Sequence, residues 1–243
     1  MELSTPAPNK PKSADINPGP GFRIKQSFDR LPAALIAEFA QFQTPEISDQ
    51  TNRLYALAPD IVCLTGAHHQ IVAPACTVKV FPGDNLLVHA CLDVAQPGDV
   101  VVVDAGASRM NAALGELIST KAQYRGIAGF IVDGYIRDLP EILPLNFPVF
   151  ARGTTAIGPL HRGPGEINHP ICCGGVVVCP GDIIVADCFG AVVVPKDDAG
   201  EILDRMVAYK QSISDYVAAV KKGVFSNRWV QEVLDESGCI ITD

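Results

Sequence analysis

The chain turns on residues 115–138. Gly115-Glu116-Leu117-Ile118 opens a segment of helical character that runs to Arg125-Gly126, an apolar stretch follows over residues 127–132, and Asp133-Gly134-Tyr135-Ile136-Arg137-Asp138 closes it. Upstream, Val100-Val101-Val102-Val103-Asp104 is a β-branched run of the kind that is buried on both faces of a sheet. Strand, helix of about three turns, strand in this order forms a right-handed parallel crossover. Such a crossover brings the helix start, with Glu116, and the loop after the second strand, with Arg137 and Asp138, to one carboxyl edge of the sheet. The first-turn N–H groups of Leu117 and Ile118 have no intrahelical acceptor and can face an anion. An anion pocket beside two carboxylates predicts a metal holding an acidic substrate.

A length of 243 residues, 48% of them hydrophobic and 19% charged, is enough to bury a sizeable core in one domain or one domain plus appendages. The formal net charge of -8 argues against nucleic acid as a partner, because sequence-independent binding needs phosphate neutralisation. No apolar segment approaches the roughly 20 residues that span a bilayer, and no signal-like apolar stretch precedes a small-residue cleavage site. No membrane association and a cytoplasmic location are therefore expected. Cys63, Cys76, Cys91, Cys179 and Cys188 sit among strand-like neighbours and read as small buried hydrophobes. Cys172-Cys173 with Cys179 and Cys188 lacks a C-x-x-C pair and suits zinc poorly.

Residues 1–21 form a Pro-rich tail, too poor in apolar groups to repay ordering. Residues 22–198 read as an α/β catalytic domain with N-terminal helices, and 199–243 as a C-terminal helical extension. Helical spacing is expected over residues 22–58, with Leu31, Leu35, Ile36 and Phe39 on one face and a second helix starting at Ser48-Asp49. His68-His69 precede a strand at residues 75–80; adjacent side chains on an extended chain diverge, so a surface or interface role is expected in place of a metal pair. Pro82-Gly83-Asp84, Pro97-Gly98-Asp99 and Pro180-Gly181-Asp182 repeat one grammar, a type II turn followed by a local acceptor. Asp104-Ala105-Gly106-Ala107 reads as a tight strand-exit turn; without G-x-G-x-x-G spacing, a methyl-donor loop is the lesser reading. A short strand is expected at 145–150 and an antiparallel meander at 176–179, 183–187 and 191–194. Asp198-x-x-Glu201 opens a long amphipathic helix stopped by Gly223, and a short helix carries Trp229, Val230, Val233 and Leu234. Together these elements define an α/β domain with a parallel crossover, an antiparallel meander and helical appendages at both ends.

Gly115-Glu116-Leu117-Ile118 followed by Gly129-Phe130-Ile131-Val132-Asp133-Gly134-Tyr135-Ile136-Arg137-Asp138 resembles the family of metal-dependent 4-hydroxy-4-methyl-2-oxoglutarate and 4-carboxy-4-hydroxy-2-oxoadipate aldolases. That family also holds a non-enzymatic regulator of ribonuclease E. The likeness runs over about residues 66–194 and includes Phe147-Pro148-Val149-Phe150-Ala151-Arg152-Gly153. It implies a swivelling β/β/α fold, rings of three or two stacked rings, and a divalent metal, Mg²⁺ or Mn²⁺. By the resemblance Asp138 binds the metal directly and Glu116 holds it through water. Arg137 and the amides of Leu117 and Ile118, in the Gly115 loop, bind the pyruvate-like end of the substrate. Relatives carry a Lys-Glu pair on the C-terminal helix, reaching a neighbouring subunit's metal water, where this chain has Lys210-Gln211.

The activity so implied is that of a class II-type lyase. It would cleave a 4-hydroxy-2-oxo acid to pyruvate and a second 2-oxo acid, with water held by Glu116 as base, and decarboxylate oxaloacetate as a side reaction. Lys121 reads as a solvated helix residue, not a Schiff-base lysine. The alternative is a regulator of the ribonuclease type that binds a protein partner; the resemblance places the distinction at Asp138, replaced in the regulator and present here.

Overall fold

A run of four valines is stable as a strand when both faces are covered, and Val100 to Val103 are so placed. Val101 and Val103 pack with Leu87, Val88, Cys91, Ile118, Ala122, Phe130 and Val132 on one face of the sheet. Val100 and Val102 pack with Ile131, Phe150, Ile171, Val178, Ile184 and Val193 on the other. Each such side chain contributes about 1.5–3 kcal/mol on burial. The structure, a computed structural model, describes residue 13 and residues 15–242, so most of the Pro-rich tail lies outside the described residues.

In chain order the strands are β1 (Phe22–Ile24), β2 (Val62–Cys63), β3 (Ile71–Val80), β4 (Val100–Ala112), β5 (Gly129–Ile136), β6 (Val149–Thr154), β7 (Gly165–Ile167), β8 (Ile171–Cys173), β9 (Val176–Val178), β10 (Ile183–Asp187) and β11 (Gly190–Val194). The helices are α1 (Ala33–Glu38), α2 (Thr44–Gln50), α3 (Leu86–Val94), α4 (Glu116–Tyr124), α5 (Leu139–Ile142), α6 (Ala199–Lys221) and α7 (Arg228–Glu236). The main sheet is ordered β1-β7-β3-β4-β5-β6-β2, with β10 joined to β3 and β11 to β10. β3, β4, β5 and β6 run parallel in succession. The expected strand, helix, strand unit is therefore β4-α4-β5, and the fold class is the mixed α/β one.

The three Pro-Gly-Asp turns share one local design. Gly83, Gly98 and Gly181 take φ of +88°, +89° and +91°, the conformation that type II turns reserve for glycine. Asp84, Asp99 and Asp182 are buried, and each carboxylate accepts backbone N–H bonds: from Leu86 and Arg162, from Gln96, and from Cys179 and Lys196. The last two turns lead into strands and the first into α3.

Several expectations need correcting. Phe22–Ile24 is a strand paired with β7, not the start of a helix. Ser48-Asp49 close α2 instead of opening a second helix, because Gln43 and Glu46 form a capping box one turn earlier with Pro45 in the first turn. Asp104-Ala105-Gly106-Ala107 is no exit turn. β4 continues to Ala112 through register shifts opposite β5, with Gly106 and Ala107 at positive φ, as at a bulge. A methyl-donor loop must feed a helix start, and this segment feeds more strand. The strand expected at 145–150 begins at Val149, after a 3-10 turn at Leu143–Leu145. The meander is only half present: β10 and β11 pair, but β9 pairs with β8 across Gly174-Gly175. Cys188, expected inside, is exposed at the β10–β11 turn.

Buried charge fixes the strands that carry the site. Arg152 Nε on β6 bonds Asp133 Oδ1 on β5 at 2.5 Å, and Gly174 N donates to Asp133 Oδ2 at 2.7 Å. Arg152 also bonds Asp60. Although burial opposes its charge, those two carboxylates raise the Arg152 pKa on balance. Arg152→Ala would leave Asp133 buried without its cation and is expected to cost about 3 kcal/mol, read by urea unfolding. A change near zero would remove this pair from the account of stability.

The described residues divide into two compact units at Leu203/Asp204. In the second, α6 ends in a Schellman pattern, with Gly223 at φ +74°, Gly223 N bonded to Val220 O and Val224 N to Ala219 O. Val207, Tyr216, Val217, Trp229 and Val233 are exposed there. Among the described residues no helix is long and apolar enough to cross a membrane.

Candidate active site

Because β4 and β5 are parallel, their following segments emerge at the same edge. The segment after β4 starts α4 with Gly115 as its N-cap residue, and the segment after β5 is Arg137-Asp138. Arg137 N bonds Leu114 O at 3.0 Å, which joins the two segments directly. They meet in a cavity of about 260 Å³ lined by Leu114, Gly115, Leu117, Ile118, Arg137 and Asp138, with Asn85, His89, Pro159 and His161 completing the wall.

Asp138 is held in a left-handed conformation, φ 57° and ψ 35°, as the N-cap residue of α5. Asp and Asn tolerate that region better than other non-glycine residues. Its Oδ2 receives Arg137 Nε at 3.2 Å and the backbone N–H of Glu116 at 3.4 Å. The carboxylate thus sits on the amide end of α4, where the helix dipole favours negative charge. Leu117 and Ile118 have their N–H groups ahead of the first helical bond, which runs from Ser119 N to Gly115 O at 3.1 Å.

Two glycines make room for these side chains. Gly115 has an extended φ of −155°, so its backbone suits any residue. A Cβ there would overlap the Asp138 carboxylate. At Gly158 a Cβ would lie 2.6 Å from Arg137 Nη1. Both positions are glycine for close approach rather than for conformation.

Gly115, Leu117, Ile118, Arg137 and Asp138 line one cavity. Glu116 meets Asp138 through its backbone N–H, while the residue is exposed and does not line the cavity. Lys121 lies on the neighbouring surface between α3 and α4. His68 and His69 are elsewhere: His68 Nε2 contacts Asn146 Oδ1 at 3.0 Å, and His69 is buried.

Asn85, His89 and His161 line the same cavity without a sequence motif that marks them. Asn85 and His89 lie four residues apart about the start of α3, and that spacing on one helix face was the available signal. His161, in an irregular loop, gave none. Burial, then Lys121 and His161, holds the His89 imidazole below its ordinary pKa.

As to metal, no group of three or more His, Cys, Asp or Glu side chains gathers among the described residues. Asp138 is the carboxylate that lines the cavity, and a single carboxylate with water as its companion ligands suits a hard cation that keeps several waters, as Mg²⁺ does. The donor set fits a divalent cation of that kind.

Comparison with known proteins agrees with the fold. Residues 44–193 match the family model described as RraA-like: Aldolase/RraA. A protein of Halalkalibacterium halodurans named "Putative 4-hydroxy-4-methyl-2-oxoglutarate aldolase" is 42% identical over 193 residues, 76% of this chain and 91% of that one. The Streptomyces coelicolor protein RraAS2, titled an unusual member of the RNase ES inhibitor RraA protein family, superposes with a TM-score of 0.71 at 30% identity, over 78% of this chain and 98% of that one. A Geobacillus kaustophilus structure titled S-adenosylmethionine: 2-dimethylmenaquinone methyltransferase gives a TM-score of 0.58 at 35% identity, over 64% of this chain and 96% of that one. On its fold and on these matches, the chain belongs to the RraA-like Aldolase/RraA family.

Proposed function

We propose that the protein is a metal-assisted carbon–carbon lyase. Its substrate is a 4-hydroxy-2-oxo acid of the 4-hydroxy-4-methyl-2-oxoglutarate kind, cleaved to pyruvate and a second 2-oxo acid, with oxaloacetate decarboxylation as a side activity. The observation that carries the reading is the meeting of Arg137, Asp138 and the amide end of α4 in one cavity, in a chain whose relatives bear the aldolase name.

Asp138 would hold the cation directly and Glu116 through water. When bound, the cation supplies Lewis acidity at the 2-oxo end of the substrate. Arg137 offers a planar fork to the carboxylate, and the N–H groups of Leu117 and Ile118 take the other side of the same anion. As the C3–C4 bond breaks, negative charge grows on the C2 oxygen, and the Arg137 guanidinium lowers its energy. Oxaloacetate loss of carbon dioxide builds the same enolate, so one site serves both reactions. A pyruvate-release assay over 4-hydroxy-2-oxo acids and oxaloacetate tests this; absence of release from every member would refute it.

A second reading, a regulator that binds a protein partner, draws on the superposition with RraAS2. By the resemblance this aspartate is replaced in the regulator, and its presence here as Asp138 favours the lyase.

The exposed apolar side chains of α6 and α7 support assembly as a homotrimer or hexamer. In such a ring Gln211, whose amide now contacts Asp215 at 3.3 Å, would stand where relatives place a carboxylate. The negative charge added by Gln211→Glu would favour loss of the C4 hydroxyl proton to whichever base receives it, and is then expected to raise cleavage of the hydroxy acid relative to oxaloacetate decarboxylation, which needs no hydroxyl proton removed. An unchanged ratio, or a monomer by light scattering, would sink this idea.

A further inference from the structure

Part of the cavity wall has no place in the reaction so far: Asn85, His89, Pro159 and His161. The loop that carries His161 is irregular, yet it is tied down along its length. Asn111 Nδ2 donates to Gly158 O at 2.9 Å, Leu160 N to Gly83 O at 2.7 Å, Asn85 N to Leu160 O at 3.0 Å, and Arg162 N to Asp84 Oδ2 at 2.6 Å. The side chain is fixed as well, with His161 Nδ1 at 2.7 Å from Asn85 Oδ1. Asn85 is 3% exposed, so its amide has little freedom to turn away. An amide oxygen only accepts, which puts the ring proton on Nδ1 and leaves the Nε2 lone pair available. His89 stands edge-on to that ring at 5.6 Å between centroids.

His161 is an exposed residue that also lines the cavity, and the buried amide and pinned loop hold its imidazole in one place, as a group that must present one nitrogen to a ligand requires. We propose that His161 is the proton-transfer residue of this cavity, its Nε2 taking the C4 hydroxyl proton of the hydroxy acid and delivering it to C3 of the product enolate. The inference rests on the lyase reading. The proton passes from O4 to Nε2 as C4–O becomes a carbonyl and the C3–C4 bond breaks. That bonding pair becomes the C2–C3 double bond of the enolate, and the C2 carbonyl pair moves to oxygen. The imidazolium then protonates C3, giving pyruvate and a neutral ring, with no electron or proton left over. Glu116, which the resemblance has holding the basic water, does not line the cavity, whereas His161 does. Asn85 is a positioning residue.

The test uses pyruvate in deuterium oxide and the full-length protein with Mg²⁺. By the reverse of the last step the wild type should exchange the pyruvate methyl protons, followed by proton NMR. His161→Gln should slow exchange about 100-fold or more while calorimetry shows pyruvate still bound. In His161→Gly, added imidazole should restore part of the exchange. Exchange by His161→Gln at the wild-type rate overturns the assignment and leaves the lyase reading standing, as the wild type still exchanges. Lost exchange accompanied by lost pyruvate binding, with no response to imidazole, also overturns it, since the role is then structural. A wild type that neither exchanges pyruvate nor releases it from any hydroxy acid refutes both.

Discussion

Asp138→Asn is expected to lower pyruvate release at least about 100-fold, the scale on which metal sites respond to loss of supporting or ligating groups. Asparagine has the same shape and tolerates the left-handed backbone that Asp138 adopts, so the fold should survive and thermal unfolding should stay near that of the wild type. What changes is charge. The neutral amide cannot bind a hard cation as a carboxylate does, and it weakens the contacts from Arg137 Nε and the Glu116 N–H. Alanine would confuse the outcome by adding backbone strain. Wild-type release by Asp138→Asn, with the fold intact, would remove this carboxylate from the chemistry.

Arg137→Lys should be nearly as damaging, with a loss of about 100-fold in kcat/KM. An ammonium group keeps the charge but loses the fork that meets a carboxylate or enolate in two places. Gly158→Ala offers an independent route to the same failure, because its Cβ would displace Arg137 Nη1 without altering the arginine. Steady-state kinetics on both variants should therefore agree in direction. A normal Arg137→Lys enzyme would show that only charge is needed there, and a normal Gly158→Ala enzyme would show that the observed guanidinium position is not the working one.

Some of this was legible from the chain because local patterns and topology agreed. The valine run at 100–103 and the apolar run after Gly126 admit few structures other than buried parallel neighbours, and a parallel crossover then brings Gly115 and Asp138 to one edge. The Pro-Gly-Asp turns were legible because glycine at positive φ is a local requirement. Less visible was β4 beyond Asp104, where Gly106 and Ala107 at positive φ look like an ending but form a bulge within a continuing strand. β1 has three residues and owes its state to pairing with β7, a contact no local pattern encodes. His161 was hidden for the same reason: its neighbour Asn85 is remote in sequence, and only the packing of the 158–162 loop against the start of α3 joins them.

The most direct measurement follows pyruvate formation from 4-hydroxy-4-methyl-2-oxoglutarate by the intact protein, first with excess chelator and then after Mg²⁺ or Mn²⁺ is returned. Release should stop in chelator and recover with either ion, because a site built on Asp138, with oxygen donors and water, binds hard cations reversibly. Undiminished release in chelator, or no pyruvate under any condition, would contradict the account.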